Sequence, residues 1–480
     1  MNRRDIFTGH LARRIATVGV LGSPDRPLRV AVVGSGPAAF YVVERFFKQK
    51  DVTVEIDMFE RLPVPFGLVR FGVAPDHPKI KSVTKVYERL AADERFRFFG
   101  NVHVGTHVSL SDLKRHYHQI CYATGAQTDR PLGIPGDDLE GSHSATEFVA
   151  WYNGHPDFRE HSFDLSARRV AIVGVGNVAV DVARILCRTE AELQSTDIAD
   201  YALAALAESK VEEVWMLGRR GPVQAAFTNT ELRELGELDG ADIVVQRQDL
   251  VLDRLSANAL EASDDRPLAK RMEILAQFAG RDPIGKRARL GIRFLVSPVE
   301  ILGQDGRVAG IRLVRNRLEE RDGGALKPVA TDEFEDLPVD LVFRSIGYRG
   351  VPLDGLPFDE WSGTIPNDEG RVLDDGDPVP GVYVAGWIKR GPTGVIGTNK
   401  PDSRETVNRM LEDVASGTVL DPEESGRDDV VETVRAVQPD FISYDDWHKI
   451  DALETKAGEE SGRPRVKLTD MEDVLAALRG

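Results

Sequence analysis

The sequence predicts an α/β chain made of two doubly wound dinucleotide-binding units, the first discontinuous and the second inserted in it. Three observations carry this expectation: a strand, glycine turn and helix near the start, a second copy of that pattern about 140 residues later, and a late return of short buried strands tipped by small residues. At 480 residues the chain is about three usual domains long, so more than one core is expected.

The first unit opens at Leu28 with LRVAVVGSGPAAF. Arg29 to Val33 is a β-branched run suited to a buried parallel strand, and Pro37 with Ala38, Ala39 and Phe40 suits the start of a helix. Gly34 and Gly36, with small Ala39 three positions on, then have the spacing of a phosphate-binding turn. The first glycine turns the chain, the second lets backbone approach a pyrophosphate, and the third small residue lets helix pack on strand. Free N–H groups at the helix start favour the negative charge. A second strand, Val52 to Phe59, ends in Glu60, 24 residues after Gly36, where a ribose hydroxyl is held.

The stretch from Arg61 to Lys85 is dense in Pro and Gly and reads as a long irregular loop at the ligand end of the sheet. It places Leu68 within reach of a cofactor ring and His77 within reach of the reacting centre, although a lone histidine is more often a hydrogen-bonded structural residue. Phe96 to Val104 and Gln119 to Gly125 read as two further strands of the same half, and Arg130 with PLGIPG as a crossing.

The pattern then restarts. Arg169 to Val173 is a strand, Gly174, Gly176 and Ala179 repeat the turn, and a helix follows. Two such turns imply two nucleotide sites and a relay between two cofactors. After a helical insertion at Ile198 to Glu208, the partner strand Val211 to Leu217 ends in Gly218, Arg219 and Arg220. Two guanidinium groups in place of a carboxylate suit a 2′-phosphate, so NADP(H) is expected there. Glu231 and Glu234 lie three apart on one face of the helix that follows.

Leu250 to Arg289 is charged and poorly patterned and reads as surface helix, whereas Gly291 to Pro298 and Val308 to Arg315 read as antiparallel strands around a QDG turn. Asp340 to Gly347 is a buried strand leading back to the first unit near residue 348. Pro378 to Trp387 is another, followed by Gly394, Val395 and Ile396 at an expected helix N-terminus. There, backbone N–H groups would face the N1 and O2 edge of a flavin, where negative charge gathers on reduction. Trp387 reads either as a ring-stacking residue or as a core tryptophan. An acidic linker is expected around 421 to 433, then an amphipathic tail with Trp447 as its anchor.

Composition narrows the function. A net charge of −17, from 61 basic and 78 acidic residues, argues against a general nucleic-acid binder. Cys121 and Cys187 are far apart in apolar segments, which excludes a close-spaced redox dithiol and suits a reduced, cytoplasmic compartment. No apolar run approaches a membrane span, so a soluble chain is expected. Residues 1–28 read as a surface extension or short docking helix.

The segments GSGPAA, LVRFGVAPDHPKIKSVTK, GVGNVAVDVARIL, GRRGPVQAAFTNTELREL and VAGWIKRGPTGVIGTNK together resemble the adrenodoxin reductase-type ferredoxin–NADP(+) reductases, bacterial branch, over about residues 29–480. The resemblance implies an FAD domain at 29–127 and 349–480 and an NADP domain at 128–348. It implies FAD contacts from Ala38, Glu60, Leu68, Val104, Trp387 and the Gly394 to Ile396 backbone, and NADP(H) contacts from Arg130, Asn177, Val178, Ala179, Val180, Arg219, Arg220, Glu231 and Gly394. His77 and Glu234 match positions near the nicotinamide. The activity implied is NADPH-dependent transfer of a hydride to FAD and then of single electrons to a ferredoxin-type iron–sulfur protein. An acidic partner requires a local basic face, for which Lys79, Lys81, Lys85, Lys389 and Arg390 are the candidates. Two other readings stay open: a diaphorase or quinone reductase without a protein partner, and a dinucleotide sensor that has lost its flavin.

Overall fold

The computed structural model describes residues 20–263, 265–321 and 324–479. Two parallel sheets organise the chain. The first has seven strands in the order Asn367–Asp368, Arg371–Asp374, Asp377–Val384, Gln119–Tyr122, Leu28–Val33, Val54–Phe59 and Phe96–Phe99. Its last five are parallel and its outer edge is an antiparallel ribbon. All six residues of Leu28–Val33 are buried, as a central strand covered on both faces requires.

The second sheet is parallel throughout, in the order Ser142–Ser144, Leu341–Arg344, Arg169–Val173, Glu213–Leu217, Ala288–Arg293 and Ala241–Val245. A three-stranded antiparallel sheet, Val296–Gln304, Arg307–Glu320 and Leu326–Leu337, packs against it. The two crossings between the large sheets pair with each other as a short ribbon, Thr128–Asp129 against Tyr348–Arg349.

Several elements differ from the sequence reading. Gly291 to Pro298 is not one strand: Gly291 to Arg293 belongs to the second parallel sheet, and Leu295, with φ of 56°, breaks the chain before the hairpin begins at Val296. The long loop at 61–85 contains the short helices Leu68–Phe71 and Pro78–Lys81. The stretch from 250 to 289 is only partly surface, because Ile274, Leu275 and Phe278 of the Arg266–Ala279 helix are buried. The supposed linker at 421–433 runs into the helix Asp429–Val437, which buries Val430 and Val434 on one face. Trp447 is buried in the tail helix Tyr444–Ser461, edge-on to Phe66 at 5.7 Å. Residues 1–19 of the expected extension lie outside the described residues. Residues 22–26 close a turn that pairs with Thr53 beside the first sheet. No helix among the described residues is long and apolar enough to cross a membrane.

Candidate functional site

The two glycine turns are built alike. Gly34 and Gly174 have φ of 101° and 139°, conformations that disfavour a side chain. A Cβ there would meet a neighbouring carbonyl oxygen, Ala123 O at 2.6 Å and Ser345 O at 2.2 Å respectively. Gly36 and Gly176 face open space and begin the helices Pro37–Phe47 and Asn177–Cys187 without any side-chain cap. Some helices elsewhere carry side-chain caps, such as the capping boxes Ser109/Asp112 and Ser443/Asp446, and others do not. At both turns the first helical amides have no side-chain partner and the glycine before them is open, which leaves them accessible to a ligand.

Glu60 is buried at the tip of the Val54–Phe59 strand. Ser35 donates to its Oε2 from N (3.1 Å) and Oγ (2.6 Å), and Leu62 N donates to Oε1 (3.0 Å), fixing the carboxylate over the first turn. At the corresponding tip in the second sheet Arg219 is exposed and Arg220 half-buried, and among the described residues neither makes a salt bridge.

A cavity of about 850 Å³ joins the two halves. It is lined from one side by Gly34, Gly36, Ala38, Glu60 and Leu68, and from the other by Asn177, Val178 and Glu231. His77, Trp387, Gly394, Val395 and Ile396 lie between. Trp387 is therefore half-buried at the cavity and not a core residue; its indole N–H donates to Thr393 O at 3.2 Å and its ring lies 5.4 Å from that of Tyr348. Val104 does not line this cavity, and it forms a bridge with Val108. Gly174, Gly176, Ala179, Val180, Arg130, Arg219 and Arg220 lie outside the lining as well. Ala179 and Val180 are fully buried, and Arg130 is exposed and donates to Ser362 O at 3.4 Å.

At the meeting point of the two sides, His77 Nε2 lies 2.8 Å from Glu234 Oε2 and 3.6 Å from Glu231 Oε2. The sequence reading did not single out the group that holds them. Arg184, fully buried, donates to Asp76 (2.7 and 3.0 Å), Asp181 (2.8 Å), Glu231 (3.1 Å) and Glu234 (3.1 Å), so one guanidinium ties the first unit's loop to the second unit's helices. The only signal for it was an Asp181/Arg184 pair spaced i, i+3 on the second glycine-turn helix. Ligand atoms of His77, Glu231 and Glu234 approach within 4.8 Å of each other, a spacing that suits a metal, but the guanidinium already bridges the two glutamates, and the cluster reads as an ion-pair network.

Charges here shift accordingly. Burial raises the carboxyl of Asp76, but Arg184 and Arg188 outweigh it and bring it down to about 2. Burial opposes charge on His77, yet the hydrogen bond its Nε2–H donates to Glu234 raises its pKa above the ordinary value, helped by Asp181 and Asp76. Glu234 is lowered in return, against its own burial. Burial, with Glu231 and Asp76 near, outweighs Arg184 at Asp181 and raises it to about 7.

Of the expected basic face, Lys79 and Lys85 are exposed. Lys81 is not available: its ammonium holds both oxygens of Asp197 at 2.6 and 2.8 Å. Lys389 is buried against Asp402, Glu405 and Thr406, and Arg390 bonds to Thr393, Thr398 and Asn399. Lys389 and Arg390 shape the turn after Trp387, and neither they nor Lys81 present themselves to a partner.

Fold and site define a two-nucleotide oxidoreductase of the doubly wound class. Residues 28–217 match the family described as pyridine nucleotide-disulphide oxidoreductase. The chain is 47% identical over 458 residues to the NADPH-ferredoxin reductase FprA of Mycobacterium tuberculosis, covering 94% of this chain and 99% of that one. It is 42% identical over 481 residues to the mitochondrial NADPH:adrenodoxin oxidoreductase of Arabidopsis thaliana, covering 98% and 99%. The structure of the M. tuberculosis protein in complex with NADPH superposes with a TM-score of 0.89 at 47% identity, over 95% of this chain and all of that one. The chain belongs to the NADPH–ferredoxin (adrenodoxin) reductase family. The disulphide of the wider family's title has no counterpart here, since Cys121, in a strand of the first sheet, and Cys187, at the end of the Asn177–Cys187 helix, are free and buried.

Proposed function

We propose that this chain is an NADPH-dependent ferredoxin reductase that holds FAD at the first glycine turn and binds NADP(H) at the second. On this reading the FAD domain comprises 29–127 and 349–480 and the NADP domain 128–348. The single observation that carries it is the shared cavity, lined by the first turn itself and by Asn177, Val178 and Asp181 of the helix that follows the second. The residues fit the two ligands: uncapped helix amides, an open glycine and a fixed carboxylate on one side, open amides and two arginines that have no carboxylate partner among the described residues on the other. When bound, the flavin accepts a hydride as an electron pair and releases electrons singly, as an iron–sulfur partner requires.

The chain's own groups bind, orient and balance charge. Gly36 and the Pro37 turn receive the FAD pyrophosphate and Glu60 the ribose, while Ala38 and Leu68 shape the pocket wall. Gly394, Val395 and Ile396 present backbone at the start of the long Asn399–Ser416 helix, whose dipole favours negative charge at that end. Arg219 and Arg220 hold the 2′-phosphate, with Asn177 and Val178 near the pyrophosphate. His77, Glu231 and Glu234, oriented by Arg184, fix the nicotinamide end. Trp387 walls the cavity and keeps water from it. Lys79 and Lys85 contribute to a docking surface for an acidic partner, and the two buried, free thiols suit a cytoplasmic location.

The test is NADPH-driven cytochrome c reduction in the presence and absence of added ferredoxin. The reading expects a strong dependence on ferredoxin that weakens with salt. Reduction unaffected by ferredoxin would favour a diaphorase.

A further inference from the structure

Among the described residues, the two backbone crossings between the large sheets pair as a ribbon of two-residue strands, Thr128–Asp129 and Tyr348–Arg349. So short a ribbon would by itself leave the halves free to bend, which is the usual behaviour of domains joined by a small interface. Side chains of the first unit's long loop cross as well, Asp76 to Arg184 and Lys81 to Asp197. The C-terminal segment adds a further tie. The tail helix Tyr444–Ser461 is fastened to the first unit by a buried bidentate pair, Glu454 with Arg70 at 2.9 and 2.5 Å. Arg70 lies in the Leu68–Phe71 helix, whose Leu68, Val69 and Phe71 line the cofactor cavity.

After Gly462, in the left-handed region at φ of 69°, the chain turns back along this helix. It passes so close that a Cβ on Gly458 would fall 2.4 Å from Arg465 Cα. It then reaches into the second unit. Buried Arg463 donates to Thr196 O at 3.1 Å, to Ile198 O and to Asp200. The ammonium of Lys467 has no exposed surface and lies between the units: Asn153 O at 3.0 Å and Asp197 Oδ2 at 3.5 Å on one side, Arg70 O at 3.5 Å on the other. Arg159 of the second unit meets Thr469 at 3.3 Å and Asp470 at 3.2 Å. A Cβ on Gly154 would lie 2.8 Å from Thr469 Cγ2.

Burying an ammonium and a guanidinium costs more than apolar packing of the same volume, so such groups are poor sources of stability and are better explained by the one arrangement they permit. We propose that residues 463–470 form a strap holding the two dinucleotide pockets in register, with Arg463 and Lys467 as positioning residues for hydride transfer. This rests on the functional reading above. Donor and acceptor must approach to roughly 3–3.5 Å, and a misplacement of about 1 Å costs on the order of 100-fold in rate.

The experiment uses the FAD-loaded full chain and the variants R463M, K467M and G458A, with R463K as the conservative control. FAD retention, NADP+ Kd, the rate of anaerobic flavin bleaching by NADPH in a single turnover, and the long-wavelength charge-transfer absorbance between the two rings are read together. FAD retention and NADP+ Kd are expected within about twofold of the parent. Bleaching is expected to slow by about tenfold or more, with a weakened charge-transfer band, and R463K is expected to recover part of the rate. Variants that bleach at the parent rate with an unchanged band overturn the strap. Loss of FAD in step with the loss of rate also overturns it, because the segment is then only structural. Failure of NADPH to bleach the parent overturns the functional reading itself and is told apart by occurring without any substitution.

Discussion

The two glycine turns share one construction and differ in what surrounds them. In each, the first glycine is forced by a carbonyl across the sheet and the second is open, with a bare helix start behind it. Around the first turn the protein closes in. Ser403 donates to Ala38 O at 3.0 Å, and a Cβ at Gly386 would lie 2.5 Å from that of Ala38. The strand-tip carboxylate is buried with three donors in place. Behind the second turn Asn177, Val178 and Asp181 of its helix reach the cavity, and of the strand-tip arginines Arg219 is exposed and Arg220 half-buried. One cradle thus suits a resident group that is bound once, the other a coenzyme that enters and leaves each cycle.

That contrast breaks most sharply at the first glycines. Gly34→Val is expected to yield a colourless protein, because the side chain collides with Ala123 O and the turn cannot form. Gly174→Val is expected to retain FAD while losing response to NADPH. Flavin absorbance of the purified variants decides it, and equal loss of colour would dissolve the distinction.

A smaller effect separates the coenzymes. With charge-assisted bonds worth about 1.5–3 kcal/mol each, Arg219→Ala with Arg220→Ala is expected to raise the NADPH KM by about 100-fold. NADH turnover is expected to stay within about twofold. An equal response of both coenzymes in steady-state assays would remove the 2′-phosphate assignment.

The smallest expected effect concerns pH. Asp181, raised to about 7 by burial, is neutral below that pH and ionised above it. An anion in the cavity favours the cationic nicotinamide of NADP+, so affinity for NADP+ should tighten a few-fold as pH rises through about 7. In Asp181→Asn that increment should be lost, leaving the titrations of His77 and of the coenzyme's own phosphate. For folding the sign is opposite. The folded state holds this proton where the unfolded chain has released it, so Asp181 makes stability decline from the ordinary carboxylate range up to about 7. Calorimetric titration of both proteins across that range checks the binding claim.

Much of this contrast was legible in the sequence because glycine turns are local: strand, turn and helix occupy some twenty adjacent residues, and Glu60, Arg219 and Arg220 follow from strand length. What depended on distant partners was not legible. Lys81 and Lys389 read as free charges because Asp197 is 116 residues away and Glu405 is 16 residues on, in the next long helix. The resemblance places Val104 at the pocket, yet Val104 is not among the residues that line the cavity and pairs instead with Val108. The break at Leu295 is a backbone conformation with no glycine to announce it. Arg184 looked like an ordinary helix residue, and only the fold brings Asp76 and Glu234 to it.

The central claim is that the two cradles deliver their ligands to one cavity. It is tested most directly by mixing the yellow, oxygen-free protein with NADPH deuterated at the transferable position of the nicotinamide and following flavin colour in a single turnover. Direct transfer across the cavity predicts rapid bleaching, slowed by deuterium on one face of the ring only. Bleaching insensitive to deuterium on either face, or none without a further component, would contradict the account.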